Sequence, residues 1–208
     1  MPLSSQAVPV SSRDKIIEVA EPLFAQLGFA RVGMRELADR VGMSKSALFH
    51  HFPNKIALYV AVLESALARI DTSFLNSPEE TPLNRLRRWL DSLIDTLAEH
   101  PVVAPLLLRT FFEVDIVGPE ERAPCDEMLS RVIGHVSRCL SEGIESGELN
   151  PDPVTHTLQS LIRMTVFHFA SGDFGDDLFG QSVFSADEVR ARKAHVRTYI
   201  DRTIARGR

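Results

Sequence analysis

The chain has 208 residues, 44% of them hydrophobic, and a formal net charge of −5; this is a normal globular composition, able to bury the core of one large domain or of two unequal ones. No stretch approaches the ~18 consecutive apolar residues of a membrane span. The two cysteines, Cys125 and Cys139, stand 14 apart with no second pair and no matching histidines, which excludes a zinc framework and leaves reduced, buried or half-buried thiols as the expectation.

The acidic total hides an asymmetry. Residues 1–55 hold seven Lys and Arg against five Asp and Glu, whereas the remainder holds 16 against 23. A weakly basic head on an acidic body orients the head toward a polyanion, an effect that salt weakens. The first residues, MPLSSQAVPVSS, have no basic start and no continuous apolar core. They read as a flexible tail over 1–11 rather than a signal peptide, and a cytoplasmic protein is the simplest expectation.

The segment from Arg35 to Lys55, RELADRVGMSKSALFHHFPNK, predicts two short helices across a tight turn. Leu37 and Val41 fall four apart and make an apolar stripe, with Ala38 leaving room for a crossing helix. Gly42 follows as the stop, because a residue without Cβ takes positive φ at no steric cost. Ser44 is then placed to cap a second helix from Lys45 to about His51, anchored inward by Leu48 and Phe52. Lys45, Ser46, Ala47, Phe49 and His50 remain on its outer face, small at the tip and flanked by donors. Such a face suits a major groove, with the helix N-terminus aimed at a phosphate or base edge. An ordinary helical hairpin in a bundle shows the same two short patterns around a glycine.

The longer stretch from Arg13 to Lys55, with a first helix ending LFAQLGF followed by MRELADRVGMSKSALFHHFPNKIAL, resembles the DNA-binding domain of the TetR family of transcriptional regulators. The resemblance covers about a fifth of the chain. It implies that Lys45, Ala47, His50 and His51 approach bases and phosphates, and that Lys55, opening the next helix, is a backbone-phosphate lysine. The DNA-binding set it implies is Gly33, Met34, Ser44, Lys45, Ser46, Ala47, Phe49, His50, His51 and Lys55. Two positions depart from the family pattern. Phe49 stands where a tyrosine usually binds a phosphate through its hydroxyl. Gly33 stands where Thr or Ser commonly caps the second helix, so only its amide serves. These changes remove a phosphate bond or two per subunit, a small loss beside the charged contacts that dominate affinity.

Beyond Lys55 the pattern stays helical, with no sustained alternation of period two, so the fold is expected to be all-α. Leu58, Val62, Ala66 and Ile70 mark a long fourth helix that links head to body. Asn76 to Pro82 breaks the pattern. Leu83, Leu86, Leu90, Leu93 and Leu97 form a fifth helix that stops near His100-Pro101, and a shorter apolar segment, Val102 to Val114, follows. Gly118 to Pro124 reads as another break, after which Leu129, Val132, Val136, Leu140 and Ile144 mark a helix ended by Gly147 and Pro151.

From Asp152 to Ser171 one stripe is Val154, Leu158, Leu161, Thr165 and Phe169, yet Met164, Phe167 and His168 make the other side apolar or aromatic as well. A helix apolar on two faces needs two partners. A final helix over Ala186 to Ala205 carries Val189, Val196, Ile200 and Ile204. These last two helices would pair with their symmetry mates in a homodimer, as the resemblance also implies; a buried helix in a monomer core is the alternative. The loop Gly172 to Ser185, with Phe174, Leu178, Phe179 and Phe184 among glycines and aspartates, reads as a lid, a dimer clasp or a plain surface connection.

A pocket for an apolar or aromatic small molecule is expected around Leu108, Arg109 and Phe112, with Trp89, Met164, Phe167 and His168 as neighbours implied by the resemblance; Arg109 or His168 would fix a polar end. The same residues also read as plain core. Enzyme chemistry leaves no local trace. No two of the seven histidines are three or four apart, and adjacent His50 and His51 point about 100° apart on a helix. There is no phosphate-binding glycine motif and no nucleophile elbow, and no cofactor or metal is expected.

The fold expected is therefore an N-terminal three-helix helix-turn-helix DNA-binding domain (12–55) joined to a larger C-terminal helical ligand-binding and dimerisation domain (56–208). The expected partners are a double-stranded DNA operator, a second copy of the chain and a small apolar or aromatic effector, with no membrane. A ligand-responsive repressor is the leading reading. A ligand-binding or scaffold protein with an inactive head, or a helical-bundle enzyme, are the alternatives.

Overall fold

In the computed structural model, residues 11–112, 117–172, 174, 178 and 180–207 are described. The head is built from α1 (Ser12–Arg31), α2 (Met34–Val41) and α3 (Lys45–His51). The Ser11 hydroxyl accepts the Asp14 amide and starts α1. Pro22 sits inside that helix without ending it; the carbonyl it leaves unmatched belongs to exposed Glu18, where water can serve. The regular path of α1 ends at Gly28, whose φ of 75° and ψ of 168° are closed to side-chain-bearing residues. The head core is Ile16, Ala20, Phe24, Leu37, Leu48 and Phe52, all buried.

The body follows as α4 (Lys55–Ala68), a 3-10 turn (Ser73–Asn76), α5 (Pro82–Glu99), α6 (Val103–Phe112), α7 (Pro119–Glu145), α8 (Val154–Ala170) and α9 (Ala186–Tyr199), with a π-helical turn at Ile200–Ile204. Helix α4 lies between α1 and α7, α5 packs on α7 and α9, and α6 packs on α8 and α1. No β-strand forms among the described residues. A short antiparallel pairing, Leu149 with Ala205, ties the chain end to the α7–α8 turn.

Three ion pairs at four-residue intervals pin α9 and the turn after it antiparallel on α5: Arg87 to Asp201, Asp91 to Arg197 and Asp95 to Lys193. Buried Arg85 donates to the Leu75 carbonyl (2.9 Å) and pairs with Glu142, joining α5, the 3-10 turn and α7.

Three sequence-based boundaries are corrected. The expected break over Gly118 to Pro124 is the first two turns of α7, with Pro119 in its first turn and Pro124 inside it. Proline is preorganised for a helix start, and the single carbonyl Pro124 leaves unmatched lies on exposed Glu120. The fourth helix ends at Ala68 rather than Ile70. The last helix turns π-helical from Ile200 rather than running as α to Ala205. Of the expected loop 172–185, Gly172, Phe174 and Leu178 take helical backbone, while 173, 175–177 and 179, including Phe179, lie outside the described residues. The tail residues 1–10 and Val114 lie outside them as well.

Candidate functional site

Local sequence sets the exposed helix of the head. Gly42 is left-handed (φ 78°, ψ 36°), and its amide returns to the carbonyls of Ala38 and Asp39, closing α2. The Ser44 hydroxyl accepts the Ala47 amide at 3.1 Å and opens α3. Leu48, fully buried, and Phe52 then fix which way α3 faces. Ser44, Lys45, Ser46, Ala47 and His50 are left in solvent, with Phe49 and His51 half-buried. The Lys45 ammonium stands 5.6 Å from the Phe49 ring, so the ring supports a cation where a hydroxyl is missing. Gly33 caps α2 without a side-chain hydrogen bond, next to half-buried Met34. Asn54 caps α4 through the Ala57 amide at 2.8 Å.

Lys55 opens α4 beside this face. Its ammonium donates to the Ala30 carbonyl at 3.2 Å and lies 4.6 Å from the Phe29 ring. The head is tied to the body at several further points on α1. Buried Glu21 accepts two bonds from Arg69, the second at 2.9 Å. Tyr59 of α4 packs edge-on against Phe24 at 5.0 Å and Phe29 at 5.3 Å. Arg109 of α6 donates from Nε to the Ala25 carbonyl at 2.9 Å and from its terminal nitrogen to the Gln26 carbonyl at 3.0 Å.

Among the described residues the body holds a cavity of about 280 Å³ between α4, α6 and α7. Tyr59, Val60, Leu63 and Leu67 line it from α4, Thr110 from α6, and Arg122, Cys125, Asp126 and Leu129 from α7, with Val117 at one edge. The lining is mostly apolar. Its charged feature is the Arg122–Asp126 pair, Nε to Oδ2 at 2.9 Å. The Cys125 thiol faces the Val60 carbonyl at 3.7 Å. Burial, with Glu64 and Asp126 nearby, pushes its pKa up to about 11, so the wall presents a neutral thiol rather than a thiolate nucleophile.

The residues expected to line a pocket lie elsewhere. Trp89 is 1% exposed in the core of α5, and its indole N–H has no hydrogen-bond partner among the described residues. Arg109 has turned its guanidinium to α1, because the helix break at Gly28 leaves carbonyls there to be capped. Leu108 and Met164 are half-buried without reaching the cavity. Phe167 is 61% exposed on the outside of α8. His168 packs on Phe169 with ring centroids 5.0 Å apart; burial, then the Arg192 charge, lowers its pKa to about 4. The side chain of Phe112 lies outside the described residues. Tyr59, Leu63 and Leu67 fall four apart on α4, with Val60 beside them, and that periodicity is indistinguishable from core in a sequence.

Residues 16–62 match the profile of the bacterial regulatory proteins of the tetR family. The HTH-type transcriptional repressor KstR of Rhodococcus jostii (strain RHA1) is 26% identical over 120 residues, covering 58% of this chain and 57% of that one. The chain spans about half the length of the curated relatives it matches. The ketosteroid transcriptional regulator KstR2 of Mycobacterium tuberculosis superposes with a TM-score of 0.73 at 19% identity, over 97% of this chain and 98% of that one. AibR, solved with isovaleryl coenzyme A and operator DNA, superposes with a TM-score of 0.67 at 20% identity, over 76% and 86%. Residues 16–62 thus match the profile of the tetR family of bacterial regulatory proteins, on a chain whose whole course follows the fold of KstR2.

Proposed function

We propose that this protein is a DNA-binding transcriptional regulator of the cytoplasm, a homodimer that represses from a palindromic operator and is released by an apolar or aromatic small molecule. The observation that carries this reading is the capped, solvent-facing α3 inside a tetR-family domain. The head comprises 12–55, after a tail over 1–11, and the body comprises 56–208. Lys45, Ser46, Ala47, Phe49, His50 and His51 meet the groove, while Gly33, Met34, Ser44 and Lys55 meet the backbone. Two copies paired through α8 and α9 hold their recognition helices about 34 Å apart, so that successive major grooves are read. The outward Phe167 supports that pairing face.

The effector enters the α4–α6–α7 cavity, whose mostly apolar lining suits such a compound. It acts only if it binds the non-DNA spacing more tightly; a ~100-fold loss of operator affinity needs roughly 2.7 kcal/mol of coupling. The same fold in AibR holds a ligand and operator DNA. No helix among the described residues is long and apolar enough to cross a membrane.

Fluorescence anisotropy against DNA from upstream of the gene, at two salt concentrations and with competitor, tests the reading. Specific dimer binding supports it, and purely non-specific binding there and to DNA selected from a random pool overturns it. In the same assay Lys55→Ala should weaken binding to every sequence and reduce the salt slope by about one unit.

A further inference from the structure

Two helices that wall the cavity also hold the end of α1. Tyr59, in the α4 wall, packs against both Phe24 and Phe29. On α6, Thr110 lines the cavity and its neighbour Arg109 binds the Ala25 and Gln26 carbonyls. Gly28 lies just beyond those carbonyls, with its left-handed φ of 75°. On the far side of the glycine, the Lys55 ammonium holds the Ala30 carbonyl. The joint at Gly28 is therefore gripped before the turn by α6 and after it by α4, and α2 begins six residues beyond it, at Met34.

The chemistry of the α6 grip suits transmission. A guanidinium is a planar, rigid fork, so two bonds to successive carbonyls fix its direction as well as its distance. Charge-assisted bonds are about twice as strong as neutral ones, and both carbonyls belong to the regular part of α1 that precedes Gly28. A displacement of α6 is then passed on to α1 rather than absorbed.

We infer that Arg109 is a positioning residue that couples occupancy of the cavity to the head, by carrying movement of α6 at Thr110 into the carbonyls that precede the Gly28 turn. The inference rests on the cavity being the effector site and the head being the DNA reader. Arg109 touches neither ligand nor DNA in this role. Its guanidinium reports on the first to the second.

A cavity-filling substitution stands in for the effector. Leu129→Trp adds bulk from the α7 wall, and the full-length protein is titrated with a duplex enriched from a random pool by the wild type. The substitution should lower affinity about tenfold or more when Arg109 is present and less than about twofold in the Arg109→Met background. Equal losses in both backgrounds would overturn the role of Arg109 while leaving the cavity as effector site. No loss with Arg109 present would overturn the cavity reading and the inference with it.

Arg109→Lys, which keeps the charge without the fork, should give an intermediate loss if the methionine variant folds poorly. Amide hydrogen exchange needs neither DNA nor a second variant. Leu129→Trp should speed exchange at Phe29 to Arg31, and unchanged exchange there would overturn the coupling.

Discussion

The head and the body place their chemistry in opposite ways. In the head, a run of 23 residues from Gly33 to Lys55 contains the turn, both caps and every outward side chain of α3. In the body, the cavity takes its walls from α4, α6 and α7, with Tyr59 and Leu129 seventy residues apart. A site written in one stretch survives as a readable pattern because its geometry depends on neighbours within a helical turn or two. A site assembled by packing has no such pattern. The two meet at the Gly28 joint, where α1 is held by side chains from α4 and α6.

The contrast breaks most strongly at Leu48. This fully buried anchor of α3 should cost about 2–5 kcal/mol when truncated to alanine. The loss should appear in the far-UV transition, while emission of Trp89, the single tryptophan and buried in the body, keeps a midpoint closer to wild type. Coincident shifts of both probes would mean that head and body unfold as one unit.

Gly28→Ala tests the joint itself. Forcing a Cβ into φ 75°, ψ 168° should cost about 1–3 kcal/mol, and here both probes should move together in a urea melt.

His168 sharpens the body side. Its ordinary pKa of 6.5 is lowered to about 4 by burial and Arg192, so the unfolded chain takes up a proton between those values that the folded chain refuses. Stability is therefore complete above the ordinary value and is lost as pH falls from 6.5 toward 4. In His168→Gln the acid-side fall in melting free energy should be shallower by about 1–2 kcal/mol.

The smallest effect belongs to the ladder between α5 and the chain end. Its Asp91–Arg197 rung is largely open to solvent on the arginine side, so Asp91→Ala should cost only about 0.2–1 kcal/mol at low salt. At high salt the difference from wild type should close.

Sequence by itself determined the head and the helical class of the body. Gly42 stops one helix and Ser44 caps the next through contacts within four residues, and the four-residue spacing of Leu48 and Phe52, both buried in the head core, turns α3 outward. Apolar stripes marked α4, α5 and α8 for the same reason. Proline misled at Pro124, because only the solvent around Glu120 makes its lost hydrogen bond tolerable. The tertiary structure alone decided what Arg109 does. In sequence it is a cation amid apolar residues, a natural anchor for a ligand; in the fold its donors meet the carbonyls left by a helix break more than eighty residues earlier. It also decided that the cavity opens beside Tyr59 and Leu63 rather than Trp89 and Phe167, because the same helical stripe serves a core, a cavity wall or a pairing face according to what packs against it.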